Sequence, residues 1–124
     1  MNNWNDFEFN DPYTGESIVK IGGVTLPQSY ISFMNAHNGG EGDIGKTWLV
    51  LFPLEELEGI NKEYETEECL PGKIIIGSNG GGELYGVGED GIFFNVPEII
   101  EEEYITHLGS DPEELPERIN ELWE

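Results

Sequence analysis

The side chains able to do covalent chemistry here are Cys69, Ser29 and Ser78, with histidines at positions 37 and 107. Joined to one of the many acids, the serines and histidines form a Ser-His-acid set on paper. No Gly-x-Ser-x-Gly turn marks a strained nucleophile, however. Cys69 has no Gly or His beside it to activate a thiolate, so it reads as a packed or half-exposed thiol. The run Gly77-Ser78-Asn79-Gly80-Gly81-Gly82 looks like a phosphate cradle, but no Gly-Lys-Ser/Thr ending follows. Glu83 stands where a cation would be wanted. It reads instead as a wide hairpin loop needing positive φ. The two histidines share no ligand spacing, and His37 reads as a hydrogen-bonded core residue. Glu101-Glu102-Glu103 and Glu41-x-Asp43 lack the alternating oxygen ligands of an EF-hand. Adjacent acids such as Glu55-Glu56 do not face each other on a helix, so paired acid–base work is not indicated. The expectation is a non-enzyme with no cofactor and no metal.

Charge points elsewhere. Twenty-six acids against five bases give a net charge of −21. Affinity for nucleic acid comes mainly from Lys and Arg displacing counterions, so a direct nucleic-acid partner is excluded. An anionic membrane surface is excluded by the same argument. The acids cluster. Residues 55–68 hold seven (Glu55, Glu56, Glu58, Glu63, Glu65, Glu67, Glu68) against Lys62, and residues 98–124 hold ten against Arg118. Two readings stay open: solvated faces that keep the chain soluble, or a surface that attracts a cationic partner over a Debye length of about 8 Å.

Behind these residues stand the elements that position them. With 124 residues, 37% of them apolar and 11% aromatic, the chain is long enough to bury roughly two-thirds of its unfolded surface. One domain is expected over residues 1–124. A single cysteine allows no internal disulfide. No apolar run reaches the roughly 20 residues that cross a bilayer. Met1–Asp6 has neither the basic stretch nor the apolar core of a secretory signal, so a cytoplasmic protein is expected.

Pro27 suits a first helical position. Tyr30, Phe33, Met34 and His37 then share one face, and Asn38-Gly39-Gly40 supplies left-handed residues that end the helix. A second helix begins at Leu54-Glu55-Glu56-Leu57 and reaches the region of Tyr64. A third, capped by Asp111-Pro112, carries Leu115, Ile119, Leu122 and Trp123 as its apolar stripe. Strands are expected at Phe7–Phe9, Ser17–Ile21, Thr47–Phe52, Lys73–Gly77, Glu83–Val87, Ile92–Val96 and Tyr104–Leu108, with a loop over Gly39–Gly45 and a tight turn at Glu89-Asp90-Gly91. Consecutive hairpins with few helices predict an α+β fold: an antiparallel twisted sheet of about five to seven strands, with two to three helices packed mainly on one face.

In this order, the segments resemble the SUKH superfamily, which includes the fungal regulator of cell-wall assembly and glucan synthesis and many bacterial immunity proteins of toxin systems. The matching residues are Leu26-Pro27-x-x-Tyr30-x-x-Phe33-Met34, Asn38-Gly39-Gly40, and Phe52-Pro53-Leu54-Glu55-Glu56-Leu57. Pro71-Gly72 to Gly77, Gly80-Gly81-Gly82-Glu83 and Phe93 to Pro97 match as well. The resemblance covers residues 24–123. Family members commonly begin with a helix before the Leu-Pro motif, whereas residues 1–23 here read as strands and turns. The usual closing Phe-Leu pair is replaced by Ile119 to Leu122-Trp123.

The resemblance implies a binding-only protein: a cytoplasmic immunity protein that neutralises a cognate toxin, or a regulatory interaction module like the fungal members. The charge independently makes a basic partner reasonable, such as a nuclease toxin whose phosphate-binding surface the acids would occupy. Candidate contacts are Glu41, Asp43, Glu55, Glu56, Glu58, Glu83, Glu89 and Asp90. Trp48 and Tyr85 read as buried core residues and would be aromatic anchors if exposed.

Overall fold

A computed structural model describes residues 3–123. Met1-Asn2 and Glu124, the last acid of the C-terminal run, lie outside the described residues. Among those described, the chain forms a seven-stranded antiparallel sheet, a separate two-stranded ribbon and four α-helices. In chain order the elements are β1 (Phe7–Phe9), β2 (Lys20–Ile21), β3 (Val24–Thr25), α1 (Gln28–Ala36), β4 (Gly40–Asp43), β5 (Trp48–Leu51), α2 (Leu54–Tyr64), α3 (Thr66–Cys69), β6 (Lys73–Ser78), β7 (Glu83–Gly88), β8 (Phe93–Pro97), β9 (Thr106–His107) and α4 (Leu115–Glu121). The large sheet runs β1-β4-β5-β6-β7-β8-β9, and β2 pairs with β3. The α+β class is as expected.

Several elements differ from the sequence expectation. Residues 40–43 form a strand, not a loop. The sequence Gly-Glu-Gly-Asp has no strand preference of its own, but β1 and β5 pair with it from both sides. A side chain on Gly40, at φ 146°, would collide with the Glu8 carbonyl oxygen, so close backbone approach requires glycine here. The expected strand at residues 17–21 shrinks to Lys20–Ile21 because its partner, Val24–Thr25, is two residues long. Likewise β9 keeps two of the five expected residues. Pro27 sits just outside α1 as an extended cap (φ −63°, ψ 144°), not as its first helical residue. The last helix ends at Glu121, leaving Leu122 and Trp123 exposed rather than in its apolar stripe.

The main core lies on one face of the sheet. It joins Phe7, Leu49, Leu51, Ile74, Ile76, Tyr85, Val87 and Phe93 to Tyr30 and Met34 of α1, Leu54 and Leu57 of α2, and Leu115 and Ile119 of α4. The other face carries a smaller core, Ile75, Leu84, Phe94 and Val96, covered by Tyr64, Cys69, Leu70, Ile100 and Ile105. Strand alternation sends Ile74 and Ile76 to the first core and Ile75 to the second, and a bulge between Ile75 and Gly77 shifts the register.

Buried asparagines stitch the elements together. The β5–β6 ladder runs from Val50↔Ser78 to Leu51↔Gly77, and Pro53 then turns the chain into α2. Beyond that point Asn61 of α2 takes the place of a strand. Its Nδ2 donates to the Ile75 carbonyl at 2.9 Å and its Oδ1 accepts from Ile75 N–H at 2.7 Å. Asn38 Oδ1 accepts from Leu54 N–H at 2.8 Å, capping α2 from a distance, while its Nδ2 donates to Glu55 at 2.7 Å. Asn120 of α4 donates to Ile44 O at 2.7 Å and accepts from Lys46 N–H at 2.8 Å, pinning the β4–β5 turn.

Candidate protein-binding surfaces

The eight candidate acids fall into separate places. Glu41 and Asp43 lie on β4, both exposed. Glu55, Glu56 and Glu58 stand on the outer side of α2, all exposed, with Glu55 tethered by Asn38. Glu83 is half-buried at the start of β7 and accepts from Asn95 Nδ2 at 3.0 Å. Glu89 and Asp90 form the β7–β8 turn, where Glu89 accepts from Thr25 N–H and Asp90 from Ile92 N–H.

Two acidic surfaces emerge. Along α2, three grooves share residues end to end. Glu55 lines those formed with Asn10–Gly15 and with Ser17–Ile21, and Glu58 continues into a third lined by Lys62, Glu65, Glu67 and Glu68. The second surface is on the sheet. Cross-strand register sets Glu8 opposite Glu41 and Asp43 opposite Trp48. A groove of about 430 Å³ is lined by Asp6, Glu8, Glu41, Gly42 and Trp48.

Trp48 corrects the sequence reading: it is 47% exposed, not core. The run Thr47–Phe52 is apolar on both sides, but the layer covering the second face reaches only β6–β9. Tyr85 is fully buried as expected. Burial raises its hydroxyl to about 12 and the Glu83 carboxylate adds to this; the Trp123 indole offsets part. Burial also raises the Cys69 thiol, with Glu65, Glu68 and Glu102 reinforcing the shift against a backbone hydrogen bond, so the thiol form is favoured. His37, the extended residue that ends α1, is half-buried and stacks on Phe9, ring centroids 4.3 Å apart.

The Gly77–Gly82 loop is built as a turn. Asn79 Oδ1 accepts from Gly81 and Glu83 N–H, and Gly80 and Gly82 hold positive φ. Among the described residues, no three His, Cys, Asp or Glu side chains converge to hold a metal ion. Arg118 forms ion pairs with Glu114 at 3.0 Å and Glu121 at 3.6 Å.

Of the motif residues, Leu26, Tyr30, Asn38, Gly39, Gly40 and Gly77 are buried, Phe33 is half-buried, and Pro53 caps α2. Gly80 and Gly81 lie in the exposed loop. Their order along the chain agrees with a comparison against family models: that of the SMI1 / KNR4 family (SUKH-1) matches residues 17–118. The chain belongs to this family. SUKH-1 domains are in general non-catalytic interaction or immunity modules, and protein–protein association is the role that membership assigns. No curated protein matches the chain. Among the described residues of this SUKH-1 domain, no helix is long and apolar enough to cross a membrane.

Sequence reasoning missed Asp6 and Glu8 as members of a site. The signal was present in part: Phe7-Glu8-Phe9 alternates, so Glu8 had to face away from its apolar neighbours. Which strand it would meet could not be read from local sequence.

Proposed function

We propose that this SUKH-1 domain is a cytoplasmic immunity protein that binds a basic toxin domain, such as a nuclease, and blocks it through its acidic exterior. The observation that carries this reading is the exposure of the carboxylates. Glu8, Glu41, Asp43, Glu56, Glu58, Glu89 and Asp90 all face solvent, and five cations in the chain cannot neutralise 26 acids. Such a field repels nucleic acid and attracts the basic surface that a nucleic-acid-cutting enzyme presents to its substrate. Covering that surface, or its rim, excludes the substrate without any chemistry by the inhibitor. Electrostatic steering would hasten capture.

The test uses a basic toxin domain encoded next to this gene. Co-expression should restore growth, and the purified domain should inhibit the toxin stoichiometrically. Reversing Glu56 and Glu58 to Lys should lower the association rate about tenfold and flatten its salt dependence, with a smaller effect on dissociation. Glu55 is left intact because its bond to Asn38 would confound the result. Unchanged salt dependence in stopped flow refutes the steering role. Absence of binding at low salt refutes the function.

A further inference from the structure

The second face of the sheet is covered on one half and bare on the other. Over β6–β9 it is sealed by Tyr64, Cys69, Leu70, Ile100 and Ile105. Over β1, β4 and β5 it presents Glu8, Glu41, Asp43, Trp48 and a half-buried Val50. Directly opposed residues in an antiparallel pair hold their Cβ atoms about 5 Å apart, and like charges there destabilise the sheet. Glu8 and Glu41 are such a pair, with Asp6 lining the same groove. An even spread of the net charge over 6593 Å² would put about two or three negatives on a footprint of about 800 Å². This one groove and its rim hold four carboxylates, with no cation among the groove's lining residues.

We propose that this bare half-face is the docking site for an arginine-rich segment of the basic partner, with a guanidinium stacked on the Trp48 indole and held at its edges by Glu8, Glu41 and Asp43. The proposal rests on the acidic-capture reading above and names its contact surface. Charge complementarity selects a cation. The exposed indole selects Arg over Lys, because a planar guanidinium stacks on an aromatic face while its N–H groups remain free to bond carboxylates. The α2 acids have no large exposed aromatic among the residues lining their grooves, which suits them to steering rather than stacking.

The probes are nona-arginine and nona-lysine peptides, titrated at low salt and followed by calorimetry and by the indole N–H signals in a proton–nitrogen NMR spectrum. Nona-arginine should shift the Trp48 indole signal. Trp48→Ala should weaken nona-arginine about five- to tenfold and nona-lysine by less than about twofold. Trp123→Ala, at an exposed tryptophan elsewhere, should change neither. The pair Glu8→Gln and Glu41→Gln should weaken both peptides while raising the melting temperature by about 2–5 °C, because repulsion across the strands is relieved. A gain in stability beside a loss of binding separates a contact role from damage to the fold. Tight nona-arginine binding that ignores Trp48, Glu8 and Glu41 overturns this site and leaves the acidic-capture reading standing. No binding of either peptide at low salt overturns both.

Discussion

Replacing Asn61 tests whether one buried side chain substitutes for a missing strand. Asn61 is 4% exposed and bonds both backbone groups of Ile75, with a further donation to Leu57 O at 2.9 Å. Asn61→Ala leaves the Ile75 N–H and C=O buried without partners. Each lost partner costs about 1–3 kcal/mol, so the pair is worth about 2–6 kcal/mol. Against a usual total of about 5–15 kcal/mol that is a large fraction, and it corresponds to a fall in melting temperature of roughly 8–24 °C.

Asn61→Asp sharpens the test. It keeps the size and the acceptor for Ile75 N–H, but turns a lone pair toward the Ile75 and Leu57 carbonyls. Burial raises the new carboxyl in the folded state above its unfolded value near 3.9. A group with a raised folded value binds protons more tightly when folded, so its contribution is greatest at low pH and is lost as pH rises. Urea unfolding followed by tryptophan fluorescence should therefore show the Asp variant below the Ala variant at pH 8 and recovering toward it by pH 5.5. An Ala variant within about 1 kcal/mol of wild type, or parallel pH profiles for the two, would refute the strand-substitute role.

Two further perturbations follow from groups held away from their preferred states. Because the folded Tyr85 hydroxyl is raised to about 12, the folded state holds the proton that the unfolded chain releases near 10. On this group's account alone stability should fall by roughly 3 kcal/mol between about pH 10 and 12. Tyr85→Phe should remove that part of the slope and leave the separate part due to Tyr30, also raised by burial; equal slopes in urea midpoints from pH 9 to 11.5 would disprove the assignment. Glu65, between α2 and α3, has a left-handed backbone at φ 55°, ψ 41°. Glu65→Gly should stabilise by about 0.5–1 kcal/mol in calorimetry, relieving strain that exceeds glycine's entropic penalty, and a lower melting temperature would count against it.

What could be read from the sequence was whatever residues state locally. The periodic run Tyr30–Met34 and the start at Leu54 gave α1 and α2. The apolar runs around Ile75, Tyr85 and Phe94, joined through Asp90-Gly91, gave the β6–β8 meander. The misses share a cause. β4 is a strand because its neighbours make it one, and its glycines record how close they come. The apolar run around Trp48 reads as core, yet its exposure depends on where the layer of Tyr64, Cys69, Leu70, Ile100 and Ile105 stops covering the sheet. The buried asparagines carry no local sign of their partners. Asn61 lies on the same face of α2 as Leu54 and Leu57, but its polar side chain has no evident role there until Ile75 is placed beside it. The acids were evident as clusters, while the opposition of Glu8 and Glu41 requires two segments more than 30 residues apart to pair in register.

That opposition also bears on what the surface refuses. β1 is an edge strand of the large sheet, and such edges invite a second copy of the same chain. Here the second copy carries the same −21 charge and the same carboxylates beside the edge, so self-pairing meets repulsion over the full approach. Nucleic acid and anionic lipid meet the same barrier. Only a cationic surface gains by approaching, and net sign alone would admit many of those. If the partner docks as proposed, discrimination among them would fall to the short-range features of the bare half-face: its exposed indole and the flanking carboxylates placed by strand register. On the proposed docking, charge would set which class of partner arrives, and the sheet face around Trp48 would decide which member of that class stays.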